Sequence, residues 1–82
     1  MTNTYFNEAT YYDTLKGLNA TFKYEDCKLT NTMLASRAAK GIEITEDAIR
    51  KMILGLRDFG LTELEYEQEL WLVQQYTKYF EA

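Results

Sequence analysis

Three of the four glycines in this 82-residue chain stand in one setting, Lys16-Gly17-Leu18, Lys40-Gly41-Ile42 and Phe59-Gly60-Leu61. Glycine takes a positive φ without steric cost, so a glycine followed by an apolar residue reads as a helix ending in a left-handed cap. Lys16 and Lys40 stand where a cation suits the negative end of a helix. Three such stops predict an all-α fold, a small bundle of about four short helices. The spans expected are about 5–16, 32–40 (starting as early as 27), 46–59 and 63–80. Thr45 reads as the N-cap of the third helix, with Glu46 and Asp47 in its first turn. Thr62-Glu63-Leu64-Glu65 reads as a capping box opening the last, with Leu61 and Tyr66 as its hydrophobic staple. Residues 18–24 alternate apolar and polar, but a lone strand has nothing to pair with, so a loop or helical turn is expected. No linker composition or repeat interrupts the chain, and residues 1–82 read as a single helical domain.

The helical faces say what these segments bury. Along 46–59, Ala48, Ile49, Met52, Ile53, Leu56 and Phe59 form one apolar arc, opposite Asp47, Arg50, Lys51, Arg57 and Asp58. Leu54 projects from the charged side, and Gly55 sits inside the helix at a cost of about 1 kcal/mol relative to Ala. A neighbouring helix crossing closely at Gly55 would explain both. Otherwise Leu54 is an anchor for a partner. Along the last segment, Tyr66, Leu72, Val73, Tyr76, Tyr79 and Phe80 share a side. Trp71 lies opposite, beside Glu67, Gln74, Gln75 and Lys78, with Leu64 seven residues before it; either this turn is buried in the middle of the domain, as a lone tryptophan in a small domain more often is, or Trp71 meets another chain. Glu69 falls where an apolar residue belongs: either it is a buried carboxylate paired with Arg50, Lys51 or Arg57 of the neighbouring helix, or it marks where the domain core stops.

Composition removes several chemistries. There is no His and only one Cys, Cys27, so a Cys/His metal site, a haem His ligand, a Ser-His-Asp triad and an internal disulfide are excluded. Glu63/Glu67 and Glu65/Glu69 have the i, i+4 spacing of paired carboxylates, but the two pairs face different ways. Neither an enzyme nor a cofactor is expected. No apolar run approaches the ~18 residues of a membrane span, and a cytoplasmic protein is the expectation. The formal charge is −4, unevenly spread: residues 23–57 hold seven bases and five acids, residues 58–82 one base and six acids.

Residues 34–59 resemble a helix-turn-helix unit, which implies DNA contact through Arg50, Lys51 and Arg57 on the exposed face of its second helix. The connection from Gly41 to Ala48 is longer than such units use, and Asp47 and Asp58 share the face that would meet phosphate. The acidic balance also opposes nucleic acid and anionic membranes. What remains is a small acidic protein-binding regulator or inhibitor, of the sort phages and mobile elements encode, acting by stoichiometric occlusion of a partner with a basic surface. Its expected contact residues are Trp71, Leu64, Leu54, Glu67, Gln75 and Lys78. A homodimer or other homo-oligomer built on Leu64 and Trp71 is the competing reading.

Overall fold

The computed structural model describes residues 6–81, which form α1 (Glu8–Thr21), a short 3-10 turn (Glu25–Cys27), α2 (Lys28–Ala39), α3 (Glu46–Asp58) and α4 (Tyr66–Glu81). The fold is all-α, with four α-helices and no strand among the described residues. These residues fall into two compact units, one up to Glu43 and the other from Ile44 onward.

In the first unit α1 packs against α2. Asn7 caps α1, its side chain accepting from the Thr10 backbone N–H at 3.1 Å, while its own N–H donates to the Ala39 carbonyl at 2.8 Å. The start of α1 is thereby tied to the end of α2. Leu18, Phe22, Cys27, Leu34, Ala35 and Ala39 are buried. Asn31 is buried with them, and its Nδ2 donates to Asn19 Oδ1 at 2.9 Å and to the Phe22 carbonyl at 3.0 Å. That carbonyl lies just past α1, where helix geometry leaves acceptors unfilled.

Gly17 does not end the first helix: α1 runs through it to Thr21. The fully buried Leu18 and the Asn19–Asn31 bond hold the following turn helical, outweighing the modest cost of an interior glycine. The helix also begins at Glu8 rather than near residue 5, which lies outside the described residues. Residues 18–21 are therefore the last turn of a helix, and the alternating pattern there belongs to no strand.

The other two glycines act as their setting predicts. Gly41 and Gly60 have φ of 73° and 74°. Ile42 N–H donates to Arg37 O and Gly41 N–H to Ala38 O; Leu61 N–H donates to Leu56 O and Gly60 N–H to Arg57 O. Both are Schellman closures. A Cβ built on either glycine, or on Gly55, meets nothing within 4 Å, so a methyl group at these three positions changes only backbone energetics. Gly41→Ala and Gly60→Ala are each expected to cost about 1–2 kcal/mol through the left-handed conformation. Gly55→Ala, in a regular helix, is expected to gain about 1 kcal/mol. Chemical denaturation of the three variants reads these opposite signs. The open space at Gly55 also overturns the expected close helix crossing there.

In the second unit α3 and α4 pack together. Thr45 caps α3 as expected, its side chain accepting from Ala48 N–H at 3.1 Å. Ile49, Ile53 and Leu56 of α3 and Leu72, Val73 and Tyr76 of α4 are buried. The last helix starts three residues later than the capping-box reading placed it. Thr62 is buried, and its Oγ1 has no hydrogen-bond partner. Instead Glu65 N–H donates to Gln68 Oε1 at 2.9 Å, so the reach-back half of a capping box forms one turn further on. Starting at Tyr66 also keeps Glu63 out of the helix, where it would stack on Glu67 at i, i+4 as a like charge. Leu61 and Tyr66 are both exposed and form no buried staple.

Candidate partner-binding surface

The charge of the chain is localised. Up to Glu43 there are five bases and five acids, while from Ile44 onward there are four bases and eight acids, so the second unit carries the whole −4.

Within that unit the cations of α3 are committed. Arg50 Nη2 lies 2.7 Å from Glu46 Oε2, and Lys51 Nζ lies 3.1 Å from Asp47 Oδ2. Arg57 meets Asp58 at 3.6 Å and reaches across to α4. Its Nη1 donates to Glu69 Oε1 at 3.0 Å, and its Nε stands 3.0 Å from Glu69 Oε2. Glu69 is only 2% exposed, so of the two readings open for it the buried carboxylate holds, and of the three candidate cations Arg57 is its partner. The exposed pairs are each worth at most about 1 kcal/mol. What matters for recognition is that α3 holds three bases and three acids and presents no net positive charge. A gel shift with mixed DNA at low salt is expected to show no retardation at micromolar protein; retardation would restore the helix-turn-helix reading.

On α4, Trp71 is 47% exposed between the buried Glu69 and Leu72. Glu67 and Lys78 are exposed, and Gln75 is half-buried. Leu64 is half-buried, but it precedes α4 in non-helical backbone and does not continue a helical stripe with Trp71. The periodicity that joined the two required a helix from residue 63, and none is present there.

Leu54 is half-buried at a different place. It lines a cleft of about 130 Å³ between α3 and α4, together with Arg50, Ile53, Tyr66, Glu69, Leu70 and Val73. The structure thus brings Leu54 together with Tyr66 and Leu70 rather than with Trp71. Tyr66 is 63% exposed and Leu70 38% exposed, although Tyr66 had been expected on the buried side of α4. Phe59, expected in the buried arc of α3, is 83% exposed as the C-cap residue. The residue before Gly60 leaves the helical direction, and that was the available signal for Phe59.

Cys27 is buried and forms no disulfide. Among the described residues no group of three or more Cys, Asp or Glu is placed to hold a metal ion. Glu69, one of the candidate carboxylates, is occupied by Arg57. No helix among the described residues is long and apolar enough to cross a membrane. No protein-family model, curated protein or solved structure matches the chain.

Proposed function

We propose that the protein is a small, non-enzymatic, acidic regulator that acts in the cytoplasm by binding a protein partner and occluding its working surface. The observation that carries this reading is the half-exposed Trp71 on an acidic helix whose packing needs are met by Leu72, Val73 and Tyr76. Trp and Tyr are the usual anchors of protein interfaces. Phe59, Leu61, Tyr66 and Leu70 add exposed apolar area to the same unit. The charge of this unit favours a basic partner and repels nucleic acid and anionic lipid alike.

The test is affinity capture from a host extract, with the wild-type chain and Trp71→Ala run in parallel. The expected result is one dominant protein held in a fixed molar ratio by the wild type and lost or strongly reduced with Trp71→Ala, whose helicity is retained. Equal recovery with both baits, or no retained protein, would overturn the reading. A gene from a phage or mobile element is the setting in which such an occluding protein fits best.

A further inference from the structure

The cleft between α3 and α4 is too small for an ordinary small-molecule site, which occupies about 300–1,000 Å³. At about 130 Å³, walled by Ile53, Leu54, Leu70 and Val73, it suits a single aliphatic side chain. Its polar lining is mostly spent, since Arg50 is held by Glu46 and Glu69 by Arg57.

A second, wider hollow of about 490 Å³ adjoins the cleft, but its lining is four exposed residues, Glu65, Tyr66, Glu67 and Gln68, rather than an enclosing wall; the two share Tyr66. Glu65 and Glu67 are exposed, and the ion pairs of the described residues do not include them. An apolar socket therefore stands beside two unspent carboxylates. Charge complementarity decides among occupants. A symmetric pairing of two copies through this face brings the same acidic patch of each chain into one interface. Nucleic acid carries the wrong sign. A cationic protein segment satisfies both halves of the surface.

We infer that this face is the docking site for a cationic amphipathic segment of another protein, which seats one aliphatic side chain between Leu54 and Leu70 and sets Lys or Arg against Glu65 and Glu67. The inference rests on the protein-binding reading and names the chemistry of the partner.

The experiment is selection from a displayed library of random 16-residue peptides on the full chain, followed by affinity measurement against variants. Enriched peptides are expected to be net basic with a large aliphatic residue. They are expected to bind about tenfold more weakly to Leu70→Gln and to the double variant Glu65→Gln/Glu67→Gln, with Glu8→Gln in α1 unchanged. The double variant changes only exposed side chains, so it reads the site even if Leu70→Gln loses helicity. Enrichment of acidic or neutral peptides, equal binding to the variants, or no enrichment overturns the inference. So does a dimer mass by light scattering that Leu70→Gln dissociates. If the peptides fail while host-protein capture still depends on Trp71, the docking site falls and the protein-binding reading stands. If both fail, the reading itself is wrong.

Discussion

Tyr76→Ala is expected to lower the unfolding free energy by about 3–5 kcal/mol, while Trp71→Ala lowers it by only about 1–2 kcal/mol. The two residues lie five apart on α4 and are similar in size, but Tyr76 is fully buried and Trp71 keeps nearly half its surface in solvent. Removing Tyr76 leaves a cavity that the surrounding side chains fill only in part, and the lost contacts add to the lost transfer energy. Removing Trp71 forfeits only the half of its surface that the fold covers. A chain of this length has about 4–12 kcal/mol of total stability, so Tyr76→Ala puts much of the molecule near its unfolding threshold. Urea denaturation monitored by circular dichroism separates the two variants. A cost for Trp71→Ala equal to that of Tyr76→Ala would place the tryptophan in the core and remove the main contact residue of the proposed surface.

Arg57→Ala is the second large effect, with an expected loss of about 2–4 kcal/mol. The arginine itself is partly exposed, and the cost arises at its partner. Glu69 is buried, and Arg57 is the cation that holds it. Once the guanidinium is gone, the carboxylate must stay charged without compensation, take up a proton or pull α4 open. The pair is also replaceable. Arg57→Met combined with Glu69→Leu removes both charges, avoids the penalty of leaving one behind, and is expected to be near wild type or more stable. A double-mutant cycle should therefore show a coupling of about 1–3 kcal/mol. Additive costs would mean that the two side chains do not depend on each other.

The sequence made these features legible to different degrees, for physical reasons that differ by residue. Gly41 and Gly60 were readable because a left-handed C′ residue followed by an apolar residue is a local requirement, met within six residues of chain. Gly17 carries the same local signal, yet the turn after it is fixed by Leu18 burial and by Asn31, twelve residues beyond Asn19. Helical periodicity found the buried faces of α3 and α4 and, by exception, the misfit Glu69 and its need for a cation. It could not place Phe59 or Tyr66, because both stand at helix ends, where the direction of a side chain depends on the cap. The helical stripe from Leu64 to Trp71 is absent for the same reason, since α4 starts only at Tyr66. As for the surface, Trp71 was visible as a residue that the apolar face did not need. The cleft at Leu54 was not, because it requires knowing which residues of α4 stand opposite it.

Trp71 is the sole tryptophan of the chain, so the emission of 5-hydroxytryptophan incorporated at that position, excited beyond the absorption of a partner's ordinary tryptophans, reports on this surface alone. Acrylamide quenching of that emission, measured for the free chain and again for the complex recovered from host extract, tests the central claim most directly. Efficient quenching in the free chain, independent of its concentration, and marked protection in the complex are the results expected of a contact surface that a partner covers. Protection already complete in the free chain, or quenching unchanged on complex formation, would contradict it.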